Sequence, residues 1–158
     1  MSFTRLWPWA LAALLALVQP VLAADTKVDD QKKSMRDAGK PTAATKNRIV
    51  IQINDENSKT WNAVLGNIRN IQADLGQKNA RIAVVAISYG LGMVTADSVA
   101  ANGVQDALAA GVEFIACGNS MTAQHVGKED LIDGVGVAQS GYVEIMKRQQ
   151  QGWTYLRP

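Results

Sequence analysis

Cysteine and histidine are nearly absent from this sequence, which contains one of each, Cys117 and His125. A single cysteine excludes a disulfide within the chain, and these two residues are too few for a structural zinc site. We therefore expect no bound metal. In an oxidising compartment such a thiol is buried, capped, paired with a second chain or used in chemistry.

Strong charge and cofactor motifs are also lacking. The formal net charge is +2, which is too balanced to indicate a nucleic-acid partner. No six-position glycine motif follows the first predicted strand, and the "GLG" of residues 90–92 is too short for a dinucleotide fingerprint. We therefore expect no cofactor.

The first 23 residues have the pattern of a secretory signal peptide. Arg5 precedes an apolar run over residues 6–18, and small residues ending at Ala23 predict cleavage before Ala24. The run is shorter than the roughly 20 residues that span a bilayer. We expect export to the periplasm, with no membrane span in the mature chain.

The residues after the predicted cleavage site are rich in charges of both signs and poor in large apolar side chains. Such a composition cannot offset the entropy lost on ordering, so it predicts a flexible segment. The remaining chain is long enough for one domain with its own core. The predicted organisation is a signal peptide over residues 1–23, a flexible segment over 24–46 and one α/β domain over 47–158.

Proline is missing between Pro41 and Pro158, and most of that stretch alternates short β-branched runs with helical patterns. This alternation is typical of an α/β fold. Strands are predicted at residues 48–54, 80–88 and 112–116, in "GVGVA" and in "WTYL".

Helices are predicted between these strands. Asn57 or Ser58 would cap the first helix, and Gly76 would end it in the left-handed conformation. Its apolar residues recur at spacings of three and four and form one stripe, Trp61, Val64, Leu65, Ile68, Ile71 and Leu75. Further helices are predicted over residues 98–111, near 121–124 and from Ser140.

The carboxyl ends of parallel strands lie at one edge of a sheet, where open α/β sheets bind ligands. Glycines at this edge allow the chain or a ligand to come close. We expect Cys117 to be the reactive residue there. The residues expected to bind a substrate beside it are Asn54, Asp55, Tyr89, Gly90, Gly92, Gly118, Asn119, Ser120 and His125.

The chemistry of Cys117 depends on the residues that follow it. Asn119 or Ser120 is a good helix cap, which would place the thiol beside a helix amino terminus. Exposed amides and the partial positive charge there favour the thiolate, the nucleophilic form of cysteine. The alternative is that Cys117 is a small buried hydrophobe, as many free cysteines are.

Two of the candidate residues have a simpler alternative role. His125 would reach the thiol only if the short helix folded it back, and otherwise it is a surface histidine. Asp55 follows the first strand, where its alternative role is to support the start of the next helix.

A subunit interface is expected near the carboxyl terminus. Trp153, Tyr155 and the apolar side of "GYVEIM" give more apolar surface than one small sheet covers. A large exposed apolar patch usually marks an interface, so we expect a homo-oligomer.

The segments "RIVIQIND", "KTWNAVLGNIRNIQADLG", "IAVVAISYGLGM", "GVEFIACGNSMTA" and "GWTYLRP" together resemble the DsrE/DsrF-like family, in particular its small exported branch. The resemblance covers nearly all of residues 47–158. It implies a flavodoxin-like three-layer sandwich with a mostly parallel sheet of about five strands, and assembly into trimers or hexamers. It also implies a persulfide on Cys117, with sulfur donor and acceptor proteins as partners. The better-understood members act in the cytoplasm, so the predicted signal peptide is a departure, and their particular donors and acceptors are not carried over.

Two hypotheses for the function stay open, and with them whether the protein is an enzyme. The first is a periplasmic sulfur carrier of sulfurtransferase type that uses Cys117 as its persulfide site. The second is a non-catalytic oligomeric protein that binds a small ligand in the same place, with Cys117 in a structural role. The thiol pKa distinguishes them, because a reactive thiol titrates below about 7.5 and an inert buried one at or above about 8.5.

Overall fold

The structure is a computed structural model that describes residues 47–158. The predicted signal peptide and the segment over residues 24–46 lie outside this range. Among the helices of the described range, none is both long and apolar enough to cross a membrane.

Five strands form one all-parallel sheet in the order β4-β3-β2-β1-β5, which confirms the predicted α/β fold and the number of strands. Each strand lies within two residues of its predicted position. The bounds are β1 Asn47–Ile53, β2 Ala80–Ala86, β3 Glu113–Cys117, β4 Gly136–Ala138 and β5 Thr154–Leu156.

Four α-helices and two 3₁₀ turns connect these strands. Both 3₁₀ turns flank β2, and the second one leads from β2 toward the second helix. The bounds are α1 Ser58–Leu75, α2 Ala101–Ala109, α3 Gly118–Gln124 and α4 Gly141–Gln150, with 3₁₀ turns at Gln77–Asn79 and Ser88–Met93.

The first helix begins as predicted and ends differently. The Asn57 side chain accepts a hydrogen bond of 2.9 Å from the Lys59 amide and caps the helix. Gly76 has a positive φ of 84° but a ψ of 131°, so the prediction of a left-handed end was wrong. Leu75 is 40% exposed, because it is the last helical residue and lies where the chain turns back to the sheet.

The second helix begins three residues later than predicted, at Ala101. The reason is a tight turn at Ser98, whose hydroxyl accepts from the Ala100 amide at 3.2 Å and whose carbonyl accepts from Ala101 at 3.0 Å. Serine favours such local bonds over a helix interior.

The helices cover the two faces of the sheet unequally. Strands β1 to β4 are successive neighbours, so right-handed crossovers place α1, α2 and α3 on one face, called here the three-helix face. The chain then crosses the whole sheet to reach β5, which places α4 alone on the opposite face, called here the one-helix face.

The two faces also differ in their cores. The three-helix face has the larger cluster, which contains Trp61, Ile68 and Phe114. The cluster of the one-helix face consists of Val50, Ala83, Val85, Ile87, Ile115, Cys117, Ile145 and Trp153.

The apolar patch expected near the carboxyl terminus differs from the prediction at Trp153 and Tyr155. Trp153 is only 7% exposed, since the guanidinium groups of Arg81 and Arg148 lie over its ring. Tyr155 is half-buried and its hydroxyl donates to Gln52 at 2.7 Å. The exposed large apolar side chains of this region are Tyr142, Val143 and Met146 of α4, which belong to the predicted patch, and Leu156 of β5.

Candidate functional site

The connections that follow β3 and β4 leave the sheet toward opposite faces. After β3 it enters α3 on the three-helix face, and after β4 it enters α4 on the one-helix face. A point where neighbouring connections leave toward opposite faces is where open α/β sheets form their ligand crevice. Cys117 is the last residue of β3 and is paired with Ala138, the last residue of β4, so it lies at this crevice.

Two helices begin beside the Cys117 sulfur. Cys117 is itself the N-cap residue of α3, and Gly141 is the first residue of α4. The Gly141 amide donates to Sγ at 3.2 Å. A Cβ at position 141 would lie 2.7 Å from Cγ1 of Ile87 and 3.2 Å from Cβ of Cys117, so only glycine lets α4 begin this close to the thiol.

The groups near the sulfur set its protonation. Burial raises the pKa of the Cys117 thiol, but the nearby Ser120 hydroxyl and the amides of Gly141, Ser120 and Asn119 favour the charged form. Of these groups, the Gly141 amide is the one that is hydrogen-bonded to Sγ in the described part of the chain. The result is a pKa below the ordinary value of the thiol. The thiolate is the nucleophilic form of cysteine, so the arrangement suits nucleophilic chemistry.

A pocket of about 470 Å³ opens at this sulfur. Tyr89 and Tyr142 line it and are 65% and 61% exposed, so they lie on its solvent side. Within residues 47–158, no acidic or basic side chain lines this pocket. Its lining residues are Ile87, Ser88, Tyr89, Cys117, Asn119, Ser120, Ala123, Gln124, Ser140 and Tyr142.

The predicted caps of the helix after β3 are not its caps. Cys117 occupies the N-cap position, and Asn119 and Ser120 lie in the first turn of α3. Asn119 instead ties α3 to the end of β4, because its amide donates to the Gln139 carbonyl at 3.1 Å and its side chain accepts from the Gln139 side chain at 3.0 Å. Ser120 is buried and lines the pocket.

The glycines of the expected site have structural roles. A Cβ on Gly118 would lie 3.3 Å from Cα and O of Gln139, so this glycine makes room for the chain after β4. On Gly90 it would clash with the Ile53 carbonyl, and on Gly92 it would lie 3.3 Å from the Trp61 ring. None of the three lines the Cys117 pocket.

Asn54 and Asp55 follow β1 but do not line this pocket. The Asp55 carboxylate accepts from the Asn57 amide at 3.0 Å, and its carbonyl accepts from the Trp61 indole at 2.9 Å. Asp55 therefore supports the start of α1. Asn54 accepts a long bond of 3.4 Å from Arg157.

His125 lies at the opposite end of α3 from Cys117. It is the C-cap residue, exposed and left-handed with a φ of 56°. A helix of 7 residues separates the two ends by about 10 Å, and nothing folds the histidine back. The structure therefore brings Tyr89, Asn119 and Ser120 to Cys117, and leaves Asn54, Asp55, the three glycines and His125 outside its pocket.

Several residues of the site were not foreseen from the sequence, namely the pocket residues Ser88, Gln124, Ser140 and Tyr142, and Gly141, whose amide donates to the sulfur. The signal for two of them was present, because a serine and a glycine stand together where the last helix was predicted to begin. Gly141, next to the capping position, indicated that another part of the chain comes close to the start of the helix. The sequence did not indicate that this part is Cys117, which is 24 residues away.

Within residues 47–158, no group of three or more His, Cys, Asp and Glu side chains is placed to hold a metal ion. The lining of the Cys117 pocket offers a thiol and uncharged hydroxyl and amide side chains.

Comparison with known proteins assigns this fold and site to a family. The model of the DsrE/DsrF-like family matches residues 67–158, and the chain belongs to that family. No curated protein matches the chain.

Several solved structures share the fold. A protein of unknown function from Methanobacterium thermoautotrophicum, MTH1491, is 37% identical with a TM-score of 0.68, over 71% of this chain and 99% of that one. BT1422, a conserved protein of unknown function from Bacteroides thetaiotaomicron, is 15% identical with a TM-score of 0.62, over 75% and 100%. The ychN protein of E. coli is 17% identical with a TM-score of 0.56, over 71% and 99%. The last two show the fold alone.

Proposed function

We propose that this protein is a periplasmic sulfur carrier in which Cys117 holds sulfane sulfur as a persulfide. The observation that carries the proposal is the placement of the only thiol of the chain at the strand-end crevice, where the first amide of α4 donates to its sulfur. The lowered pKa of the thiol agrees with this placement. Membership of the DsrE/DsrF-like family supports it, because a cysteine after the third strand is the residue that such a role requires.

The transfer step is a nucleophilic displacement at sulfur. The Cys117 thiolate attacks the outer sulfur of a hydropersulfide donor, R–S–SH, and forms an Sγ–S bond. The S–S bond of the donor breaks, and the R–S⁻ leaving group departs as thiolate or takes a proton from water. Cys117 is left as a persulfide, and no external oxidant or reductant is consumed.

The groups around the sulfur suit both the thiolate that attacks the donor and the thiolate that is regenerated when sulfur passes to an acceptor. The amides that stabilise the thiolate before attack remain beside the sulfur when transfer to an acceptor regenerates it. The absence of acidic side chains from the pocket lining, within residues 47–158, avoids repulsion of an incoming anionic donor.

Export and assembly belong to the same proposal. The signal-peptide pattern over residues 1–23 supports periplasmic location. The exposed apolar side chains of α4, Tyr142, Val143 and Met146, support packing against further copies of the chain, as trimers or hexamers. Sedimentation that gives only monomer at micromolar concentration would contradict the assembly.

The experiment is intact-protein mass spectrometry after incubation with a hydropersulfide donor. The wild-type protein is expected to gain the mass of one sulfur atom and to lose it on reduction with a thiol. Cys117→Ser is the matched control and is expected to gain nothing, because the chain has no other thiol. No gain on the folded wild type would overturn the carrier role and favour the binding-protein alternative.

A further inference from the structure

The Cys117 thiol lies inside its pocket rather than on the surface of the protein. Cys117 is 4% exposed, and the pocket that opens at its sulfur has a volume of about 470 Å³. Sites for small molecules have volumes of about 300–1,000 Å³, so this pocket has room for an organic group in addition to the reacting sulfur. A cysteine on the rigid surface of a folded protein does not reach a thiol that is buried in this way. The access therefore favours a low-molecular-weight sulfur donor.

The lining of the pocket is uncharged in the part of the chain that the structure describes. Apart from the thiol, the lining side chains are apolar or carry hydroxyl or amide groups. A charged group that entered such a site would lose its hydration and gain no ionic partner, which is costly. Ile87 and Ala123 supply apolar surface, and Tyr89 and Tyr142 supply aromatic rings. The lining therefore suits an uncharged organic group with an apolar or aromatic part.

Tyr89 follows a strained residue. Ser88 has a φ of 52°, a left-handed conformation that is uncommon for residues other than glycine. Its amide donates to the Ser120 hydroxyl at 2.8 Å, and its carbonyl accepts from the Gln124 side chain at 2.8 Å. Backbone strain that the surrounding structure holds in place is concentrated at active sites and ligand-binding sites. The strain at Ser88 therefore points to a functional role for the neighbouring Tyr89.

The residue after Tyr89 is fixed as well. The Gly90 amide donates to the Ile87 carbonyl at 3.0 Å, and a Cβ on Gly90 would clash with the Ile53 carbonyl. Tyr89 itself is 65% exposed, although the backbone on both sides of it is held. A side chain on a fixed backbone loses less conformational freedom when a ligand binds, which strengthens binding. Tyr89 is therefore suited to contact a ligand that enters toward Cys117.

We propose that the sulfur donor is a low-molecular-weight hydropersulfide whose organic group is uncharged, and that the Tyr89 ring selects this donor by contact with that group. This inference rests on the proposed carrier function, because it names the donor class of the same site. Tyr142 lines the pocket too, but it also belongs to the exposed apolar side of α4. Tyr89 is thus the residue that tests ligand contact separately from assembly.

The first test compares two uncharged alkylating reagents on the folded full chain, iodoacetamide and its N-benzyl derivative. Each rate is divided by the rate for the same chain unfolded in urea, which removes the intrinsic reactivity of the reagent. The benzyl reagent is expected to be favoured by about two- to tenfold, the effect of a stacked aromatic pair. Tyr89→Ala is expected to abolish this preference, and Tyr89→Phe is expected to keep it.

Val99→Ala is the matched control for this test, because Val99 is 79% exposed and lies outside the pocket lining. It is expected to keep the wild-type preference. The absence of a preference in the wild type, or its persistence in Tyr89→Ala, overturns the assignment of Tyr89. The wild-type measurement decides the question even if a variant does not fold.

The second test is sulfur loading from benzyl hydropersulfide and from para-carboxybenzyl hydropersulfide, which differ by one carboxylate. Loading of the wild type is expected to be faster from the uncharged donor by about fivefold or more, because the carboxylate has no ionic partner in the pocket. Equal or faster loading from the charged donor overturns the donor class. Loading from inorganic polysulfide but not from benzyl hydropersulfide also overturns it, while the carrier role stands. If no donor loads sulfur, the donor class falls together with the carrier role.

Discussion

The two faces of the sheet differ in the helices and apolar clusters that cover them. The three-helix face is sealed by α1, α2 and α3 over a large apolar cluster. The one-helix face has a smaller cluster and carries the Cys117 thiol, a buried glutamine, an ion-pair network and the exposed apolar side chains of α4. The comparison shows that one face holds most of the apolar core, while the other holds the thiol of the proposed site and the exposed apolar side chains of α4.

The largest loss of unfolding free energy is expected for a substitution in the core of the three-helix face. Phe114 is 1% exposed, and Phe114→Ala should destabilise the fold by about 3–5 kcal/mol because it removes a ring and leaves a cavity. Denaturant unfolding measures this loss. Any variant that remains folded should keep the wild-type alkylation profile of Cys117. A shifted profile would mean that the two faces are not independent.

The second largest effect is expected on the one-helix face, where the start of α4 contacts the Cys117 thiol. Gly141→Ala places a methyl group 2.7 Å from Ile87 and 3.2 Å from Cβ of Cys117, so the start of α4 must move away. We expect a loss of about 1–3 kcal/mol in unfolding free energy and a higher thiol pKa. Gly136→Ala is the control, since a Cβ there meets nothing closer than 3.7 Å. If Cys117 titrated at the same pH in both variants, the Gly141 amide would not be what lowers the pKa of the thiol.

The ion pairs of the one-helix face predict a dependence of stability on pH. Burial raises the pKa of Glu113, but bonds from Arg148 at 2.8 Å and Arg81 at 2.9 Å lower it below the ordinary value. Its contribution to stability is therefore complete above the unfolded-state pKa and is lost as the pH falls through the folded-state pKa.

Arg148→Met tests this dependence. The variant removes the bonds to Glu113 and Glu144 and is expected to lose about 1–2 kcal/mol at pH 7. Its unfolding free energy should fall less steeply than that of the wild type between pH 5 and pH 3. Parallel curves for the two proteins would show that the network has no net effect on folding.

The smallest effect on stability is expected at the thiol itself. Cys117→Ser should cost less than about 1.5 kcal/mol near neutral pH, since the two side chains are similar in size. Because the folded-state pKa of the thiol is lowered, its charged form adds stability as the pH rises above that value. The difference between wild type and variant should therefore grow with pH toward the unfolded-state value, and a constant difference would contradict a lowered pKa.

The sequence predicted the sheet better than the site. Strands such as "RIVIQIN" are set by local β-branched runs, so periodicity was enough to place them. It also placed Cys117 at the carboxyl edge, because the chain leaves a strand there.

What the sequence could not predict depends on contacts between distant residues. The burial of Trp153 involves Arg148, which is close to it in the chain, and Arg81, which is distant, and the exposure of Leu75 depends on where the sheet ends. The bond from Gly141 to the thiol spans 24 residues and arises only when α4 crosses to the opposite face. The left-handed Ser88 has no local signal, since the bonds that hold it come from α3.

The central claim is that the strand-end crevice keeps Cys117 as a reactive thiolate, and the alkylation rate of the wild-type protein as a function of pH tests it most directly. Only one thiol contributes to the signal. A midpoint below about 7.5 is the result that this account predicts. A midpoint at or above about 8.5 would contradict it and would make Cys117 a packing residue of the one-helix face.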